Sequence, residues 1–267
     1  MVFGGIQKVT LLDYPEKTAC TVFTIGCDFA CPFCQNSSLI ESGGKTQHCP
    51  PSYLREEEIL DFLATRQGLL DGVCISGGEP LLQDDLETFI DQVKEMGFLV
   101  KLDTNGSYPD RLRNLIEANK IDFVAMDIKN SPEKYPKTVG LEDFDTSLIE
   151  ESINILRKGT IPHEFRTTVV KEFHTGEDLL SIAQWISDAL TKEISDGYRN
   201  KIPDASVQKI SDTDKPEISC AEKYFLQKFV DSEGVLQKGL HDFSDAEMRL
   251  FINDITTILP CAELRGI

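Results

Sequence analysis

Three cysteines stand at Cys27, Cys31 and Cys34, in the run Cys27-Asp28-Phe29-Ala30-Cys31-Pro32-Phe33-Cys34. Their C-x3-C-x2-C spacing follows an apolar, strand-like stretch. Cysteine thiolates ligate zinc and iron–sulfur centres, and three of them leave a four-coordinate site one donor short. A centre held this way keeps an open position, where a substrate or cofactor can bind. The plainer alternative is a structural zinc closed by His48 or Cys49. Such sites usually pair two C-x-x-C knuckles, and this sequence has one.

Other residues could do chemistry in concert with these. Ser76-Gly77-Gly78-Glu79-Pro80 combines a glycine pair, which admits close approach to backbone, with a carboxylate able to accept from an ammonium group. Asp103-Thr104-Asn105-Gly106, Asp127-Ile128-Lys129, Arg166 and Gln227 add donors and acceptors. Each has an ordinary reading: a strand-to-helix turn opened by proline, carboxylates that cap a turn, charges in solvent. Gly44-Lys45-Thr46 resembles the end of a phosphate loop, but Leu39 stands where the first glycine is required. His48, His163, His174 and His241 show no metal-pair spacing and read as scattered surface or core histidines. Cys20, Cys74, Cys220 and Cys261 read as packing residues.

The elements that must position these groups alternate between short apolar runs and helical patterns. Strands are expected at Cys20–Ile25, Gly72–Ser76, Phe98–Asp103, Phe123–Asp127, Glu164–Val170 and Tyr224–Val230. Leu86, Phe89, Ile90 and Val93 form one helical stripe, closed by Gly97; Leu179, Ile182, Ala183 and Ile186 form another. Ser147 with Glu150, and Ser244 with Glu247, read as capping boxes. Six strand–helix units imply a parallel sheet, whose ligands bind at the carboxyl ends of the strands. The cysteine triplet and the Gly77, Asp103 and Asp127 groups end or follow a strand, and Arg166 and Gln227 are carried by the fifth and sixth, so these would converge on one face. The segment 191–219, rich in Ser, Asp, Lys and Pro, is expected to be a surface insertion.

The 267 residues suffice for one α/β domain, expected to span 1–267. A net charge of −18 argues against nucleic acid or anionic lipid as partner, and leaves another protein. The N-terminus lacks a basic-then-apolar signal pattern and no apolar run spans a bilayer, so a cytoplasmic location with reduced thiols is expected.

The cysteine triplet, with the aromatic Phe33 before its last member, resembles the signature of the radical S-adenosylmethionine superfamily. Gly77-Gly78-Glu79-Pro80, Asp103-Thr104-Asn105-Gly106 and Asp127-Ile128-Lys129 extend the resemblance to the activating enzymes of glycyl radical enzymes. Gly5-Ile6-Gln7-Lys8, Leu12-Asp13-Tyr14-Pro15 and Lys223-Tyr224-Phe225-Leu226-Gln227 look most like the activating proteins of anaerobic ribonucleoside-triphosphate reductase. The resemblance covers residues 1 to about 190 and 220 to 267.

It implies a single-domain α/β fold, a partial (β/α)6 barrel of radical S-adenosylmethionine type, with a doubly wound open sheet as the other architecture. Cys27, Cys31 and Cys34 would hold a [4Fe–4S] cluster with one open iron. S-adenosylmethionine would bind there, with Gly77, Gly78, Glu79 and Pro80 at its ammonium and Phe33 and Gln35 at its adenine. Asp103, Thr104, Asn105, Asp127, Lys129, Arg166 and Gln227 would surround the rest. Asp103, Thr104, Met126 and Asp127 match a monovalent cation site of some members. Reductive cleavage, with an electron from a reduced flavodoxin- or ferredoxin-type donor, would yield a 5′-deoxyadenosyl radical that takes hydrogen from a glycine of a partner glycyl radical enzyme. Two other functions stay open: radical chemistry on a small molecule or peptide, and a zinc-binding interaction module. Departures from the family pattern include Gln35 where many relatives have histidine, and Glu16 in place of a glycine.

Overall fold

The computed structural model describes residues 1–40, 53–199 and 222–267, with backbone alone for 188–199 and 222. Its elements run β1 (Val2–Thr10), β2 (Ala19–Thr24), β3 (Leu54–Arg55), α1 (Glu56–Ala64), β4 (Gly72–Gly77), α2 (Leu86–Glu95), β5 (Leu99–Thr104) and α3 (Pro109–Glu117). They continue with β6 (Phe123–Asp127), α4 (Tyr135–Val139), α5 (Ser147–Arg157), β7 (His163–Val169), α6 (Gly176–Arg199), β8 (Glu222–Lys228), α7 (Asp245–Ile255) and β9 (Ala262–Arg265).

One sheet joins all the strands in the order β3-β1-β2-β4-β5-β6-β7-β8-β9. From β2 to β9 every pairing is parallel, and each strand lies beside the next of that series in the chain. A doubly wound sheet reverses direction at a switch point; this one never does, which is the winding of a barrel. Flat, β2 and β8 would lie about 24 Å apart, five inter-strand spacings. Yet Gln35, beyond β2, donates from Nε2 to the Val230 carbonyl, beyond β8, at 3.0 Å. The sheet therefore curls into a partial barrel.

Alternation along the strands separates two environments. Val73 and Ile75 of β4, Val100 and Leu102 of β5, Val124 and Met126 of β6 and Phe165 of β7 are buried in one apolar core. The stripes Leu86, Phe89, Ile90, Val93 and Leu179, Ile182, Ala183, Ile186 complete it as expected. The intervening residues Cys74, Ser76, Lys101, Asp103, Asp127, Glu164 and Arg166 join one another in the barrel interior by hydrogen bonds and ion pairs. The period of two therefore sorts grease from chemistry.

The six expected strands all form, within two residues of the expected ends. Strands β1, β3 and β9 are additional. Gly4 and Gly5 interrupt the apolar alternation of β1, and the other two are only two and four residues long, too short to announce themselves. The Ser244–Glu247 capping box forms. The one expected at Ser147 and Glu150 does not: Ser147 is already the first residue of α5, Thr146 flanks it in helical conformation without a side-chain cap, and the Asp145 carboxylate accepts from the Ser147 N–H at 3.0 Å. An aspartate two residues upstream took the role assigned to the serine. The 191–219 insertion begins inside α6, and its remainder lies outside the described residues, as do His48, Cys49, Cys220 and Gly44-Lys45-Thr46. No described helix is long and apolar enough to cross a membrane.

Candidate active site

A cavity of about 340 Å³ opens at the carboxyl ends of the parallel strands. It is lined by Cys27, Cys31, Phe33, Cys34 and Gln35 from the loop after β2, by Gly77 and Gly78 at the end of β4, and by Asp103, Thr104 and Asn105 at the end of β5. Asp127, the last residue of β6, Lys129 just beyond it, Arg166 on β7 and Gln227 on β8 close it. Residues two hundred positions apart in the chain thus share one surface. Glu79 and Pro80 do not line it.

All three cysteines line the void. Among the described residues, no three His, Cys, Asp or Glu side chains converge closely enough for a single metal ion. Three sulfurs arrayed around a cavity fit a multinuclear iron–sulfur cluster with one open iron better than they fit one zinc ion. Without a metal, burial pushes the Cys31 thiol up to about 12 and raises Cys27 and Cys34 as well. Thiolates here need a compensating positive charge, which a metal centre supplies. Asn105 supports the first ligand: its Nδ2 donates to Asp28 Oδ1 at 2.9 Å and lies 3.9 Å from Cys27 Sγ.

Beside the cysteines lies a largely sequestered chain of charges, of which Lys101 alone is fully buried. Arg166 donates Nε to Asp127 Oδ1 at 2.7 Å and Nη1 to Asp103 Oδ2 at 3.2 Å. Lys129 Nζ reaches Asp127 Oδ2 at 2.9 Å, and Lys101, only 1% exposed, pairs with Asp103 Oδ1. Burial opposes ionisation of both aspartates, but Arg166, with Lys101 on one side and Lys129 on the other, outweighs it and holds each below the usual carboxylate range. Burial would lower the Lys129 ammonium, yet Asp127 and Cys31 raise it. Lys129 and Arg166 are therefore not solvated charges: the registers Asp127↔Arg166 and Asp103↔Ala125 stack them across neighbouring strands.

The glycine pair serves the backbone first. A Cβ on Gly78 would stand 2.0 Å from the Gly26 carbonyl oxygen, and one on Gly77, at φ +122°, would stand 2.3 Å from Thr24 N. Only glycine lets the turn after β4 lie against the entry to the cysteine loop, where Gly78 N–H donates to Thr24 O and Glu79 N–H to Gly26 O. Glu79 is fully buried. It accepts from Thr104 Oγ1 at 2.8 Å, Asn105 N–H at 2.7 Å and Leu81 N–H at 3.0 Å. Its oxygens bind the turn after β4 to the turn after β5. Burial pushes its carboxyl up to about 8 against those three hydrogen bonds.

His174 carries a role the spacing of histidines could not reveal. It is 1% exposed, its Nδ1 accepts from Val170 N–H at 3.1 Å, and its Nε2 therefore donates to the Lys129 carbonyl at 2.9 Å. Its ring packs at 5.9 Å from that of Phe33, so one neutral imidazole ties the end of β6 to the cysteine loop. The only sequence signal is its place just beyond the fifth strand.

Comparison with known proteins agrees with this geometry. Residues 21–186 match the profile of the Radical SAM superfamily. A protein of Methanocaldococcus jannaschii, named as a candidate glycyl-radical enzyme activating enzyme, is 34% identical over 192 residues, covering 69% of this chain and 75% of its own. The 7-carboxy-7-deazaguanine synthase of Thermococcus kodakarensis is 26% identical over 181 residues, covering 62% and 67%. Among solved structures, Streptococcus suis SuiB bound to S-adenosylmethionine superposes with a TM-score of 0.56 at 12% identity, over 91% of this chain and 49% of its own, a likeness of fold.

Proposed function

The chain belongs to the radical SAM superfamily, and on that premise we propose that it is the activating enzyme of a glycyl radical enzyme, the anaerobic ribonucleoside-triphosphate reductase being the partner that its sequence resembles most. A [4Fe–4S] cluster and S-adenosylmethionine, when bound, supply one-electron cleavage of the sulfonium and removal of a hydrogen atom from the partner's glycine. The observation that carries the reading is the meeting of three cysteines with Gly77, Gly78, Asp103, Lys129 and Arg166 on one cavity. Identity to the Methanocaldococcus jannaschii protein supports the activating branch over the small-molecule branch.

In this reading Cys27, Cys31 and Cys34 hold the cluster and Asn105 orients the Asp28–Cys27 limb. The cavity-lining backbone of Gly77 and Gly78 accepts from the ligand's ammonium, and Lys129 and Arg166 offer positive charge to its carboxylate. Phe33 is packed between Phe173 and His174, which fixes the loop that carries it, and Gln35 lies at the rim with its amide on Val230. A monovalent cation at Asp103, Thr104, Met126 and Asp127 fits poorly. Met126 does not line the cavity, and the four carboxylate oxygens already accept from cationic side chains of the chain. A reduced flavodoxin- or ferredoxin-type protein is the electron donor of this scheme.

Anaerobic reconstitution with iron and sulfide, followed by reduction with S-adenosylmethionine, tests the chemistry: 5′-deoxyadenosine forms in the wild type and is lost in Cys31→Ala. Adding the reductase then yields a glycyl radical signal by electron paramagnetic resonance. Absence of that signal with 5′-deoxyadenosine still formed would move the reading to a small-molecule or peptide substrate. A colourless, zinc-loaded protein would end it.

A further inference from the structure

We propose that the loop after β8, residues 230–237, is a brace that sets the position of Cys34, with Gly234 and Ser37 as its positioning residues. The inference rests on the cysteine-held centre described above.

The cysteine loop is anchored at its two limbs by different parts of the fold. The limb bearing Cys27 is held by the turn after β4 and by α4: Glu79 N–H donates to Gly26 O at 2.8 Å, and Ala30 N–H to Val139 O at 2.9 Å. Cys31, 5% exposed, is packed into the core. Cys34, half-buried like Cys27, spends its own N–H in a turn to Cys31 O. The limb that carries it is tied down from the far end of the chain. Leu236 N–H donates to the Cys34 carbonyl at 3.0 Å, and Gln237 N–H to the Pro32 carbonyl at 2.8 Å. Ser37 sends both its N–H, at 3.2 Å, and its Oγ, at 2.7 Å, to the Gly234 carbonyl.

Residue 234 must be small for reasons of space. A Cβ there would stand 2.2 Å from the Gln35 carbonyl oxygen, a backbone atom that cannot swing aside. Either the brace or the cysteine limb would have to withdraw. Because the thiol of residue 34 hangs from that limb, a shift there alters one ligand and leaves the other two in place. The brace thus closes the barrel seam between β2 and β8 and sets ligand geometry in the same contact.

The experiment uses the full chain with Gly234→Ala, and with Ser37→Ala as the milder variant. In the metal-free protein, iodoacetamide labelling followed by peptide mass spectrometry compares Cys34 with Cys27 and with Cys20, a fully buried reporter of global opening. Labelling of Cys34 is expected to rise about tenfold in Gly234→Ala and about threefold in Ser37→Ala, with Cys20 and Cys27 unchanged. After reconstitution, the reduced centre of Gly234→Ala should show a shifted electron paramagnetic resonance spectrum. Unchanged Cys34 labelling in both variants, or an equal rise at Cys20 and Cys34 in both, overturns the brace. If the wild type takes up no iron–sulfur chromophore, the cluster reading fails instead, and the labelling result still decides whether the brace exists.

Discussion

The Nε of Arg166 on β7 lies 2.7 Å from Oδ1 of Asp127 on β6, its paired residue in the parallel ladder. The same guanidinium reaches Asp103, so one side chain joins the ends of three strands. Residues that sequence reading treated as separate strand-end polar groups are one electrostatic unit at the base of the cavity.

Arg166→Gln should therefore cost about 3 kcal/mol, the low end for breaking a buried pair, because Lys101 and Lys129 remain to partner the two aspartates. Both carboxyls lie below the ordinary aspartate range in the folded chain. Such groups stabilise the fold at neutral pH, and the contribution is lost as pH falls through their folded values. Urea denaturation as a function of pH should show a smaller loss of stability on acidification in the variant than in the wild type, because without Arg166 the folded aspartates titrate closer to their unfolded values.

Glu79 predicts the opposite slope. Its carboxyl is raised from 4.5 to about 8, so its favourable contribution is complete below about 4.5 and lost as pH climbs towards 8. The metal-free wild type should lose stability across that interval, by at most about 1.4 kcal/mol per pH unit. Glu79→Gln should remove this slope. A parallel dependence in variant and wild type would show that Glu79 is not its source.

His174→Phe keeps a ring against Phe33 but leaves the Val170 N–H and the Lys129 carbonyl without their partner. The expected loss is about 1–3 kcal/mol by thermal or chemical denaturation. Burial lowers the pKa of His174 below its unfolded value near 6.5, so the wild type loses stability as pH falls through that value while the variant does not, and the difference between them should narrow from pH 8 to pH 6.

Gly78→Ala should destabilise the chain by about 1–3 kcal/mol, because the new methyl meets the Gly26 carbonyl. Iron uptake on reconstitution should fall as well, since the turn at residue 78 presses on the cysteine loop. Gly5→Ala, where a Cβ meets nothing within 4 Å, is the matched control and should leave iron uptake unchanged.

The sequence by itself determined the strands, the main helical stripes and the cysteine triplet. These are local matters: alternation of two, repetition near 3.6, and ligands seven residues apart or less. It also determined that the polar groups fall at strand ends, because a parallel sheet puts every carboxyl end on the same face. What each group does there was a tertiary decision. Glu79 reads in sequence as a carboxylate beside a glycine pair; that its oxygens clamp Thr104 and Asn105 depends on how two turns approach. His174 looked incidental and joins β6 to the cysteine loop, because its partners are backbone atoms that no residue type reveals. Gly234 had no local signature at all. Its reason is the carbonyl of Gln35, 199 positions earlier, which reaches it only because the sheet curls until the loops after β2 and β8 meet.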